Sequence, residues 1–309
     1  MAEAPIGLNG WIVLDKPLGL GSTQAVSAIK RALRTAGLPK AKVGHGGTLD
    51  PLATGVLPIA IGEATKLCGR MLDASKVYDF TICFGVETDS LDLEGHVIAT
   101  SETLPTLAQV EAILPDFTGP ISQIPPAYSA IKVDGQRAYD LARAGEEVAL
   151  KARDVVIHTL EILSSPSQDD GEESRIKEIT LRAHVSKGTY IRSLARDIAV
   201  ALGTVGHVTM LRRIQAGPFG LDQAISLDIL DEHARAQSLG DLVLPLRTAL
   251  VDIPALALDT GQALALRQGR VLSGVAAPDG LHLATLDDVP VALVDVLGGT
   301  VKVDRGFNL

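Results

Sequence analysis

Asp50 is the one carboxylate in residues 43–62 (VGHGGTLDPLATGVLPIAIG), a stretch that also carries Gly44, Gly46, Gly47, Gly55, Gly62 and two prolines. Glycine at that density suits a loop that passes very close to something. A carboxylate flanked by apolar and glycine residues, shielded from water, can act as a nucleophile or a base. The competing reading is an Asp-Pro pair that starts a turn or caps a helix. A buried carboxylate needs a cation to stay ionised, and Lys187-Gly188-Thr189-Tyr190-Ile191-Arg192 offers one at a strand-to-helix junction suited to presenting a guanidinium. Arg192 is equally readable as a structural or phosphate-facing arginine. His45, between Gly44 and Gly46, would project from a nearly side-chain-free backbone or serve as a turn histidine; Tyr78 lies on a strand, where aromatics are usually core.

Several chemistries are excluded. The glycines lack both the G-x-G-x-x-G spacing and the Walker Lys-Ser/Thr, so no nucleotide cofactor is expected. The seven histidines show no metal-ligand spacing, and Cys68 and Cys83 form no C-x-x-C, so neither metal nor disulfide is expected. A glycosidase would need two carboxylates flanking the bond, and this segment holds one.

The elements that must position these residues follow from periodicity. Trp11 to Asp15 reads as a strand, followed by a helix from about Ser22, capped by its hydroxyl, with Val26, Ile29 and Leu33 on one face. Lys76 to Gly85 alternates with the strand period, setting Tyr78, Phe80, Ile82 and Phe84 on one side. Thr106 to Leu114 and Asp134 to Ala144 read as helices, with Gly119 to Gly135 a long exposed connection. Ile176 to Ser186 reads as a strand running into a helix from Tyr190 to Leu202. Short apolar runs from about Val251 onward predict a small all-β unit. At 309 residues the chain should hold a large catalytic domain, 1–248, and a small companion, 249–309.

The net charge of −9 counts against nucleic-acid binding, which draws on cations facing phosphates. Yet residues 17–49 hold no acid and carry Lys30, Arg31, Arg34, Lys40 and Lys42, while residues 182–213 set six basic residues against Asp197 alone. A basic face on an acidic body is one reading, solvated helix faces the other. Acids gather at Glu87, Asp89, Asp92, Glu94 and Glu102, and in residues 168–173, which read as a solvated loop tip. No apolar window approaches the length of a membrane span, and a cytoplasmic protein is expected.

Taken together, Asp15-Lys16-Pro17, residues 44–51 (GHGGTLDP), 53–58 (ATGVLP), 62–66 (GEATK), 76–78 (KVY), 123–132 (QIPPAYSAIK), 186–192, Leu211-Arg212-Arg213 and residues 305–308 resemble one family over nearly the whole chain, the TruB-type tRNA pseudouridine-55 synthases. The resemblance implies an α+β pseudouridine synthase domain with a central mixed sheet and an RNA-binding cleft, plus a small β-rich, PUA-like C-terminal RNA-binding module. It implies Asp50 as the catalytic aspartate, Tyr78 stacking on the target base, Arg192 pairing with Asp50, and Tyr190 and Leu211 lining the base pocket. His45 would fill the space left by an extruded base, and Lys16 and Lys66 would support the site or face RNA. It further implies a tRNA T-arm substrate, no cofactor, no metal and a monomer without an obligatory protein partner. Gly46 and Gly21 stand where family members often carry hydroxy residues, so any hydrogen bond from those positions is lost. A non-catalytic RNA remodeller, a guide-RNA-dependent synthase and a small-molecule glycosidase are the rival readings.

Overall fold

The computed structural model describes residues 7–129, 131–133, 135–144, 150–164 and 174–309. The acidic run 168–173 and Asp134, the expected first residue of a helix, lie outside them.

In chain order the strands are β1 (Gly10–Lys16), β2 (Val43–His45), β3 (Thr54–Ile61), β4 (Lys76–Phe84), β5 (Val86–Thr88), β6 (Val97–Thr100), β7 (Gly119–Gln123), β8 (Lys132–Val133), β9 (Gln136–Arg137), β10 (Arg153–Ser164), β11 (Glu178–Val185), β12 (Gly206–Ala216) and β13 (Phe219–Gly220). The helices among them are α1 (Ser22–Thr35), α2 (Cys68–Asp73), α3 (Leu107–Ile113), α4 (Ala138–Arg143), α5 (Ile191–Ala201) and α6 (Leu227–Arg235). The central sheet runs β1-β3-β12-β4-β11-β10-β7, with β2 attached to β3 and β13 to β12. It is mixed: its pairs are antiparallel except β3 with β12, which meet in parallel over only Arg212↔Thr54 and Arg213↔Gly55.

Two separate cores explain why β1 and β3 read as unbroken apolar runs. Ile12, Leu14, Leu57, Ile59 and Ile61 pack under α1 and α6, while Trp11, Val13, Val56 and Ala60 point the other way, into a core shared with Leu246, Leu250 and Phe307. A strand covered on both faces has no polar side to show. β4 is covered on one face only. Phe80, Ile82 and Phe84 pack beneath Leu194, Ala195 and Ile198 of α5, and the opposite face is polar, with Asp79 held by Arg182 and Thr81 bonded to Thr180.

Several expectations change. The N-cap of α1 is Gly21, not Ser22, and the helix buries Ala25, Ala28, Ile29, Ala32 and Leu33, with Val26 only half-buried. Residues 119–123 are not loop but the edge strand β7, where Pro120 opposite Val156 is tolerated because an edge position can spare its donor. Periodicity does not announce β10 or β12: a bulge between Ile157 and Thr159 breaks the alternation of the first, and paired arginines mask the second.

The C-terminal sheet has the order β14 (Ala255–Ala257), β15 (Gly280–Leu286), β16 (Val289–Leu297) and β17 (Thr300–Gly306). This unit is not all-β. A helix, α7 (Thr260–Arg267), capped by the Asp259 side chain, buries Ala263 and Leu266 against Val294, Val296 and Val301. Phe307, just beyond β17, returns to the core around Trp11.

Candidate active site

Asp50 lies in the turn that enters β3. Its own carbonyl accepts from the Ala53 N–H at 3.1 Å, and Leu49 before it is latched at both main-chain polar groups to the Ser22 hydroxyl, at 2.8 and 3.0 Å. That latch is why Ser22 does not cap its helix. The Asp50 side chain remains 41% exposed and meets the Arg192 guanidinium, itself 6% exposed, at 3.0 Å.

Arg192 stands in the first turn of α5, just after Tyr190, its N-cap. It donates to the carbonyls of Ser90 and Tyr128, both at 2.8 Å, and forms a second ion pair with Asp92 at 3.2 Å. Asp92, a member of the acidic cluster 87–102, is buried; its other oxygen accepts from the Ser90 hydroxyl and the Glu94 N–H. The Val208 N–H of β12 donates to Leu91 O, which brings this turn alongside the sheet. Nothing periodic surrounds Asp92; the only signal is Leu91, an apolar residue inside an acidic run.

Asp50, Leu52, Ala53, Asp92, Arg192 and residues 208–211 line one small recess. It exists because β3 and β12 pair over two residues only, so the first half of β12 is left facing the Asp50 turn. Leu211 sits at the wall. It is a diagonal neighbour of Tyr78 across β4 and β12, since Arg213 opposes Tyr78 and Leu211 opposes Phe80. Both Leu211 and Tyr78 touch the core under α5 and the core under α1, so the recess opens along the seam between them. Tyr190 donates its N–H to the Gln123 side chain at 2.8 Å, and burial raises its phenol pKa, so the ring presents a neutral hydroxyl. His45 on β2 opposes Ile59; burial, then the Arg213 charge, lowers its pKa, and its buried Nδ1 lacks a hydrogen-bond partner among the described residues.

Residues 30–191 match the TruB family pseudouridylate synthase (N terminal domain), and residues 192–251 match the tRNA pseudouridylate synthase B C-terminal domain. The chain belongs to the TruB family. It is 65% identical to a tRNA pseudouridine synthase B of Novosphingobium aromaticivorans over 98% of each chain. It is 58% identical to that of Zymomonas mobilis, over 97% of this chain and 96% of the relative. Among solved structures it resembles a chain of an H/ACA ribonucleoprotein bound to a substrate RNA containing 2′-deoxyuridine, with a TM-score of 0.71 and 25% identity over 97% of this chain and 85% of that one. A Cbf5-Nop10-Gar1 complex gives the same TM-score at 26% identity and the same coverage.

Within this TruB chain the two motif lysines part company. Lys16 is fully buried and donates to the carbonyls of Pro17, Leu20 and Pro51, which ties β1 to the Asp50 turn; burial lowers its pKa to about 8, against the pull of Asp50. Its ammonium is thus turned into the fold and braces the Asp50 turn. Lys66 is not brought to the recess: it pairs with Glu63 at 2.6 Å and donates to Gly306 O at 2.8 Å, fastening the C-terminal sheet.

The two basic stretches also differ. Arg182 pairs with Asp79, Lys187 with Asp73, Arg196 with Asp197 and Arg212 with Asp15, while Arg192 and Arg213 are buried, so the cations of the second stretch are either paired at the surface or buried. Lys30, Arg31, Arg34, Lys40 and Lys42 are all exposed, and none makes an ion pair among the described residues. Among those residues no three His, Cys, Asp or Glu side chains gather where a metal could sit, and no helix is long and apolar enough to cross a membrane.

Proposed function

We propose that this chain isomerises the uridine at position 55, in the T-loop of tRNA, to pseudouridine, with Asp50 as the reacting carboxylate. The observation that carries the reading is the ion pair of a half-exposed Asp50 with a buried Arg192 in the recess that Leu211 walls. The reaction breaks N1–C1′, turns the base and joins C5 to C1′; the C5 proton is lost and N1 gains one, so no oxidant or energy source is consumed. Ionised Asp50 can attack C1′, add to C6 or take a ribose proton, and the geometry is compatible with each.

The target base is stacked in its loop and must be flipped out, at about a few kcal/mol. Stacking on Tyr78 offsets part of that cost. His45, neutral and with a free ring nitrogen, suits the vacated position, because an uncharged ring is cheap to desolvate. The exposed cations of α1 and the segment after it supply phosphate contacts, so affinity falls steeply with salt. The C-terminal sheet, as a PUA-like unit, extends the RNA footprint. The enzyme works as a stand-alone monomer in the cytoplasm, unlike the assemblies named for its structural relatives.

The purified chain, in EDTA and with an unmodified T-arm stem-loop, should convert the T-loop uridine, while Asp50→Asn binds the RNA and yields no product. Tight binding without conversion by the wild type would replace this reading with RNA remodelling.

A further inference from the structure

Arg213 is 1% exposed and makes no ion pair among the described residues. Its donors go to main-chain oxygens on both sides of Asp50: Nε to Val56 at 2.7 Å, and the terminal nitrogens to Thr48 and Gly47 at 3.3 Å each. Its own backbone lies against Gly55, where φ is +100° and a Cβ would come within 2.1 Å of the Arg213 carbonyl. Only glycine fits there. The segment carrying Asp50 therefore leaves and rejoins the sheet on one residue of β12.

Two more buried cations stand close by. Lys76 donates to the carbonyls of Met71, Leu72 and Ala74, and a Cβ on Gly47 would lie 3.6 Å from Arg213 and 3.9 Å from Lys76. The charge of Arg213 lowers the pKa of Lys76, Lys16 and His45, in each case behind burial. The titratable and charged groups around the loop are Lys16 on β1, His45 on β2, Lys76 and Tyr78 on β4, Asp92 after β5, Tyr190 and Arg192 at the start of α5, and Arg213 on β12.

We infer that Arg213 is a positioning residue for Asp50: its guanidinium ties together the two ends of the loop that carries the carboxylate. The inference rests on the reading of Asp50 as the reacting group. Lysine cannot reproduce the tether, because a compact ammonium does not reach both ends as a guanidinium does, but it keeps the charge.

Arg213→Lys and Arg213→Met both break the tether. In Arg213→Lys, amide hydrogen exchange at residues 48–53 should rise about tenfold and kcat should fall about 100-fold, the scale of a small misplacement, with T-arm affinity unchanged. Arg213→Met removes the donors altogether and should lower kcat at least as far. Wild-type exchange and kcat in Arg213→Lys would overturn the inference, and that variant decides it even where Arg213→Met fails to fold. A wild type that never converts uridine would sink the functional reading instead, while the exchange measurement still judges the tether.

Discussion

The Arg192–Asp50 pair has unequal ends, and its two deletions should differ accordingly. Arg192→Met removes a guanidinium that is 6% exposed and strands Asp92, 9% exposed, together with the carbonyls of Ser90 and Tyr128. Removing one partner of a buried pair costs about 3–5 kcal/mol. For a chain of this size, at roughly 2 °C per kcal/mol, Tm should fall by about 6–10 °C. Asp50→Asn removes a carboxylate that is 41% exposed, where an ion pair is worth about 0–1 kcal/mol, so Tm should fall by no more than about 2 °C. Both variants should lose conversion of the T-arm uridine. Thermal unfolding by circular dichroism beside the conversion assay gives both quantities, and adding Asp92→Asn to Arg192→Met should restore about 1–2 kcal/mol by removing the stranded charge. An Asp50→Asn variant as unstable as Arg192→Met would refute this account, since Asp50 would then be a strut and not a group held ready for chemistry.

Two further outcomes follow from burial. Lys16 holds its proton only to about pH 8 in the fold against 10.5 in its ordinary state, so between those values the unfolded chain binds more protons; stability rises with pH across that window and is lost as pH falls back through it. A difference of that size amounts to about 3 kcal/mol. Lys76, also lowered to about 8, adds a contribution of the same sign, so Lys16→Met should flatten about half of the rise in urea-unfolding free energy between about pH 7.5 and 10, and an unchanged slope would count against Lys16 as its source. Phe307→Ala empties a site 1% exposed beside Trp11, Val56 and Leu293, and should cost about 3–5 kcal/mol in the same assay; a loss below about 1 kcal/mol would mean that the ring is not packed as described.

The parts of the fold legible in sequence are those with one dry face. β4 alternates because α5 covers one side of it and water reaches the other, and α1 shows its stripe for the same reason. β12 escapes notice because Arg212 and Arg213, adjacent in sequence, pair with Asp15 on one face and grip carbonyls on the other, which reads locally as a charged surface. At the site, the pairing of Asp50 with Arg192 comes from the family resemblance; the expectation of a carboxylate shielded from water does not hold, since Asp50 is 41% exposed and only Arg192 is buried. Asp92 is not legible, because a turn residue held inward by Arg192 and by bonds from Thr88, Ser90 and Glu94 leaves no periodic trace. Lys66 carries the same motif standing as Lys16, and only tertiary contacts distinguish a lysine that braces the Asp50 turn from one that fastens β17.

Phe307 closes a core whose other members include Trp11 and Val56, so the strand that leaves the Asp50 turn is finished by residues from opposite ends of the sequence. Contacts of that separation form late and slowly. During synthesis, β1 and β3 emerge early with one flank bare, and Glu63 and Lys66 wait for Asn308 and Gly306 before their own bonds are complete. The candidate site thus depends on residues far downstream: a chain without residues 306–308 holds Asp50 and Arg192 but lacks the Phe307 ring in the core behind β3.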